Sequence, residues 1–380
     1  MKIATAKRMI AVLLSCALLL LFVSCTIENT DTDETLATAK QSETKRDTEG
    51  VTEDAKKPSG NTSNEKEKIM DIYIIAGQSN AVGHSHISNA QELYAQTENK
   101  LRLGYSNVHY SGNARSNNNL NNIRDWDRVT LGLGFTPQYF GPEVGMADAF
   151  SSYYNGSTGK HAGIIKMAHG GTSLLNKTTD VSNIHGNWVS PSYAAELGIP
   201  FEGATGGIYR ALLDQIRTGL ADLENYGFTD VNVKAMYWMQ GETDRDQPEE
   251  YKKSFEYFVE DLRRDLSDVL KEYTGTNDDR GASEMPIFVG TICETFFLQS
   301  TNGDTTLNRA FIEMQKTLPT VVDNCYVVDV SQYKMNEVVN GSVVMVDQVS
   351  GGGHWNQQNA FAVGRDVAAA MLDKCVEIER

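Results

Sequence analysis

Three short polar turns and one histidine carry the residue types that acyl chemistry needs. Ser79 stands in Gly77-Gln78-Ser79-Asn80, directly after the apolar run Ile72-Tyr73-Ile74-Ile75-Ala76. A serine hydroxyl becomes a nucleophile when a base takes its proton and donors meet the oxyanion its attack creates. The plain alternative for Ser79 is an ordinary strand-to-loop turn. His354 follows Gly351-Gly352-Gly353, and glycines there free the backbone to turn the imidazole back over a neighbouring edge. Among the seven histidines it is the candidate base; His161 opens a strand and His109 lies far in sequence from any strand end. His84 and His86 have a metal-compatible HxH spacing, but no carboxylate or cysteine cluster accompanies them, so neither metal nor cofactor is expected. Two further turns, His169-Gly170-Gly171-Thr172-Ser173 and Gln240-Gly241-Glu242-Thr243-Asp244, end apolar runs in the same abrupt way.

Those turns need elements that bring them together from positions about 90 and 160 residues apart. Five short apolar runs of β-formers, near residues 71–76, 162–168, 231–239, 286–292 and 325–330, alternate with helical patterns. The clearest helices are near 141–153, 205–225, from 248 onward, 308–318 and 356–375. Strand–helix alternation predicts an α/β protein with a central, mostly parallel five-stranded sheet and helices on both faces. Right-handed crossovers then put every strand's carboxyl end on one edge, where the chemistry of open α/β sheets sits. Residues 85–140 and 177–203 lack periodicity and are expected to be loops shaping a cleft, with Trp126, Trp188, Tyr139 and Trp355 as flat surfaces for sugar rings or as core.

The four blocks resemble those of the SGNH hydrolases. More narrowly they are similar to the sialate O-acetylesterase-like group, which includes the acetylxylan esterases of carbohydrate esterase family six. Gly77-Gln78-Ser79-Asn80 matches the nucleophile block, and Ala168-His169-Gly170-Gly171-Thr172-Ser173 the second. Trp238-Met239-Gln240-Gly241-Glu242-Thr243-Asp244 matches the third, His354 the last, and Gly141-Pro142-Glu143 a turn of that group. The likeness spans residues 71–371. It implies a flavodoxin-like three-layer α/β/α domain and a serine esterase that removes O-acetyl groups from carbohydrate through an acyl-enzyme. Ser79 would attack and His354 act as base, with an oxyanion hole from the N–H of Ser79, the N–H of Gly170 or Gly171, and the Gln240 side-chain amide. The usual aspartate three residues before the histidine is replaced by Gly351. Glu242 and Asp347 are the two carboxylates able to take its place; Glu242, at a rigid strand end, is favoured. Asp244 reads as a structural tie. The alternatives are a catalytically impaired glycan-binding module on the same fold, supported by the missing aspartate, and a general lipid or aryl esterase.

Composition narrows the partners. The net charge of −16 argues against nucleic acid. Lys2, Lys7 and Arg8 precede an apolar stretch over 10–23 that closes on Ser24-Cys25. That stretch is short for a membrane span and is similar to a bacterial lipoprotein signal, with Cys25 as the lipidated residue. Residues 26–68 are polar and almost without large apolar side chains, as expected of a disordered tether. The expected organisation is therefore a signal over 1–25, a tether over 26–68 and an esterase domain over 69–380. The protein would be exported, as a surface lipoprotein or in secreted form. Of the five cysteines, Cys293, Cys325 and Cys375 sit in apolar contexts and read as small buried hydrophobes.

Overall fold

Apolar side chains at consecutive positions of one strand need cover on both faces, and the chain supplies it. The computed structural model describes residues 68–112, 126–157, 159–179, 185–346 and 352–378. The signal, residues 26–67 of the tether and Asp347 lie outside them. β1 (Ile69–Gly77) is buried along nearly its whole length. Ile72, Ile74 and Ala76 face one core, and Tyr73 and Ile75 face the other. Burying each such isoleucine contributes roughly 1.5–3 kcal/mol.

The remaining strands of the main sheet are β2 (Val108–Gly112), β3 (Asp127–Arg128), β4 (Lys160–Ala168), β5 (Asp230–Met239), β6 (Ile287–Gly290) and β7 (Cys325–Val328). Their spatial order is β3-β2-β4-β1-β5-β6-β7, parallel throughout except for the β2–β3 pair. Two strands are thus added to the expected five. They lie in the stretch read as loop, which also holds the short helices Ala90–Gln96 and Lys100–Leu103. The edge ladder between β2 and β3 pairs only two residues on each side, too short to leave a periodic signal. Val343 and its neighbours form a separate hairpin, Asn336–Val339 against Ser342–Met345.

Helices fill both faces. α1 (Ser79–Val82) is a single turn after β1. α2 (Glu143–Tyr153) and α6 (Gln357–Ile378) contribute Val144, Phe150, Phe361 and Val367 to the core that holds Tyr73 and Ile75. On the other face α3 (Gly207–Ala221), α4 (Pro248–Thr274) and α5 (Thr306–Gln315) supply Leu212, Phe258, Leu262 and Phe311. α4 starts with Pro248 in its first turn and acidic Glu249 and Glu250 beside it, which suit the positive end of a helix. Cys293, Cys325 and Cys375 are buried, and none of them forms a disulfide among the described residues.

Candidate active site

The three polar turns leave the sheet side by side because their strands end level. Gly77 is in register with Ala168 of β4 on one side and Met239 of β5 on the other. Gly77 has φ +141°, and a Cβ there would stand 2.0 Å from the Met239 carbonyl oxygen. Only glycine lets β1 finish so close to β5. The Gln78 N–H donates to Met239 O at 2.9 Å, and the His169 N–H donates to Gly77 O at 3.0 Å. The backbone itself fixes where Ser79 emerges.

Ser79 opens α1 and is half-buried. Gly170 faces it: a Cβ on Gly170 would lie 3.5 Å from the Ser79 Cβ. Neither the Ser79 N–H nor the Gly170 N–H donates within the described backbone network. Gly171, at φ +70°, turns the chain away from the strand.

Gln240 behaves differently from the expectation of a side-chain donor to an oxyanion. Its Nε2 donates to Thr172 O at 3.1 Å, to Asp244 Oδ2 at 2.8 Å and lies 3.2 Å from Gln78 Oε1. The side chain is fully buried, and an amide nitrogen with two hydrogens has none left for a substrate. Gln240 therefore ties the second and third turns to each other. Asp244 shares that work, accepting from Ser173 Oγ and from the Leu174 N–H at 2.8 Å.

Asn80 joins the pieces that matter most. Its Nδ2 donates to Glu242 Oε1 at 2.8 Å and lies 3.4 Å from Gly353 O. The carboxylate turn and the histidine segment thus meet on the residue after Ser79. Other bonds hang the histidine segment in place. Asn336 Nδ2 donates to Gly352 O at 2.6 Å, and Ser85 Oγ donates to Trp355 O at 2.8 Å. His354 is half-buried with its ring stacked on His84, centroids 4.1 Å apart. Ser79 Oγ makes no hydrogen bond among the described residues. Catalytic bonds of free enzymes often close only around substrate.

Glu242 is 1% exposed, and burial raises its pKa above the ordinary carboxylate value, with the Asn80 bond opposing the rise. Its Oε2 has no hydrogen-bond partner among the described residues. A buried carboxylate with one oxygen unused is a group waiting for a donor.

Beneath α1 lies a group that sequence reading passed over. Lys166, in the middle of β4, is 1% exposed and pairs with Glu143 Oε2 at 2.9 Å. The same ammonium donates to Val82 O and Leu133 O, each at 2.9 Å. Glu143 Oε1 accepts the Gly141 N–H at 2.8 Å. The signal was available, since a lysine inside an apolar strand needs a buried partner. The tryptophans, by contrast, are core: Trp126, Trp188 and Trp355 are each 1% exposed or less. Tyr139 alone of the four aromatic candidates is half-buried.

The model of the family described as "Carbohydrate esterase, sialic acid-specific acetylesterase" matches residues 69–373. The chain belongs to that family. The esterase is a carboxylic ester hydrolase, and acetylated carbohydrate is its substrate class. Its fold is similar to that of solved structures. "Crystal structure of NanS" aligns at 16% identity and TM-score 0.50, covering 82% of the esterase and 99% of that chain. An Arabidopsis thaliana protein aligns at 16% identity and TM-score 0.47, covering 80% and 98%. A carbohydrate acetylesterase from Xanthomonas citri aligns at 15% and 0.42, covering 79% of the esterase and 56% of that chain. No curated protein sequence matches the esterase.

Proposed function

We propose that the esterase removes acetyl groups from carbohydrate hydroxyls by a serine mechanism with an acyl-enzyme intermediate. Ser79 Oγ attacks the ester carbonyl carbon while His354 takes its proton, and the carbonyl electrons move onto oxygen. The N–H groups of Ser79 and Gly170, neither of which donates within the described backbone network, receive that oxyanion. His354 then returns the proton to the departing sugar oxygen as the carbonyl re-forms, leaving an acetyl-serine. Water repeats the sequence and releases acetate. Glu242, whose Oε2 has no hydrogen-bond partner among the described residues, is the carboxylate that orients the histidine. The observation that carries this reading is Asn80, which bonds to both Glu242 and Gly353 and so gathers three turns around Ser79.

A fluorophosphonate probe tests the nucleophile, since it labels only a serine activated in this way. Labelling that maps to Ser79 and is blocked by substrate supports the reading; no labelling of an intact, acetate-releasing enzyme overturns it.

The carboxylate is tested separately. Glu242→Gln keeps an oxygen for Asn80 but removes the charge, and kcat is expected to fall by about 100-fold or more. Stability should move the other way. The pKa of Glu242 is raised in the fold, so its ionised form costs stability once the pH is above the ordinary carboxylate value. At pH 7 the melting temperature of Glu242→Gln is therefore expected to equal or exceed that of wild type, with the difference shrinking as the pH falls into the acid range. If Asp347→Asn carries the loss of kcat and Glu242→Gln does not, Asp347 is the orienting acid.

The proposal extends to location: export, with Cys25 lipidated and residues 26–68 as the tether. Support comes from the charged and apolar pattern before Cys25. Cys25→Ser should move the esterase from the membrane fraction to the soluble one.

A further inference from the structure

His84 sits two residues past α1, where nothing in the reaction as described requires a second imidazole. Its ring is sandwiched. His354 lies on one face with centroids 4.1 Å apart and planes within 10°, and Phe135 lies on the other at 4.7 Å and 21°. Tyr139 closes the edge at 6.0 Å. Hydrogen bonds hold the chain on which His84 and Phe135 stand. The Phe135 N–H donates to Gly83 O at 2.9 Å, and Lys166 holds Val82 O and Leu133 O, two residues before His84 and two before Phe135. His86, which shares the HxH spacing, is directed elsewhere: its Nδ1 accepts the Ser88 N–H.

Resting on the serine-esterase reading, we propose that His84 is a positioning residue whose aromatic face holds the His354 ring in its working plane and supports the positive charge that ring acquires.

The electrostatics agree with the geometry. Burial, then the neighbouring His354 and Lys166, lower the pKa of His84 to about 3. The titratable groups around it are His354 on one face, Tyr139 at the edge, and Lys166 with its partner Glu143 below. The uncharged ring presents a π face, and a cation over a π face is attracted. His354 becomes that cation only while it holds the Ser79 proton, so the attraction acts on the transition state and not on substrate binding. A flat, non-titrating ring should do the same work.

The test compares three His84 variants and Ser79→Ala with wild type on an acetyl ester, with melting temperatures measured alongside. His84→Ala is expected to lower kcat by about 10-fold with KM within about 2-fold, and His84→Phe to recover kcat to within about 3-fold of wild type. Unchanged kcat in His84→Ala overturns the inference, as does equal loss in the alanine and phenylalanine variants. Should His84→Ala fail to fold, His84→Phe against His84→Gln decides: the ring is required if phenylalanine alone sustains turnover, and it is not if glutamine does as well. Ser79→Ala separates this from the function. If that variant hydrolyses the ester like wild type, the serine mechanism falls and the role of His84 falls with it. If Ser79 is essential and the His84 variants are indifferent, only this inference falls.

Discussion

Replacing Ser79 by alanine is expected to reduce acetyl-ester turnover by at least about 10⁴-fold while leaving the fold intact. Both halves of that expectation come from the same geometry. Ser79 Oγ has no hydrogen-bond partner among the described residues, so removing it orphans nothing. The side chain is half-buried beside Gly170, and a methyl group occupies the same space without a clash. Melting temperature should therefore stay within a degree or two, as for other substitutions that leave packing and hydrogen bonds alone, roughly ±0.5 kcal/mol. Turnover is another matter, because the Ser79 Oγ is the atom that forms the acyl bond. With alanine in place, the oxyanion donors and the histidine can at best assist direct attack by water, which is far slower. Acetate release and thermal unfolding measured on one preparation check both halves. A variant that keeps most of its activity would move the nucleophile away from β1, and the rest of the mechanism with it.

Sequence carried the frame of this site further than its wiring. Strands buried on both faces announce themselves as apolar runs, and their abrupt ends at Gly77, Ala168 and Met239 marked the turns that carry Ser79, Gly170 and Glu242. Registry then did the rest, since level strand ends put those turns together. β2 and β3 were missed for the opposite reason. Val108-His109-Tyr110-Ser111-Gly112 mixes polar residues into a run of five, and its partner pairs only at Arg128 and Asp127. The bonding of Gln240 was illegible for a different reason. Its place in the third turn was legible, but the direction of its amide depends on Thr172, Asp244 and Gln78, which no local pattern reveals. The same holds for Asn80, whose partners lie at Glu242 and Gly353. Side-chain direction at a strand end is a tertiary property. Residue type there suggests chemistry, and only packing says which chemistry is free to occur.

Lys166→Met is expected to be the most damaging substitution outside the turns, lowering stability by about 3–5 kcal/mol and turnover with it. The change leaves the Glu143 carboxylate buried without a cation, and two backbone carbonyls, Val82 O and Leu133 O, lose their donor. Val82 ends the helix that Ser79 begins, so loosening it reaches the nucleophile directly. Leu133 leads to Phe135 and the stack on His84. Glu143→Gln breaks the same pair from the other side, and pH tells the two apart. Burial lowers the pKa of Lys166 in the fold, with Glu143 opposing. Without Glu143 that opposition is gone, and a lysine with a depressed folded pKa destabilises the fold while it remains protonated. The stability deficit of Glu143→Gln should therefore be largest at low and neutral pH and shrink as the pH rises toward the lysine range, where the ammonium can shed its proton. Lys166→Met has no such ammonium and should show no recovery at high pH. Denaturant unfolding of the two variants between pH 6 and about 10 reads the difference, 10 being near the ordinary lysine pKa. Combining both substitutions should restore part of the stability, because a buried pair replaced whole leaves no lone charge behind. It should not restore turnover, since the carbonyls at Val82 and Leu133 would still lack the donor that holds the floor of the site.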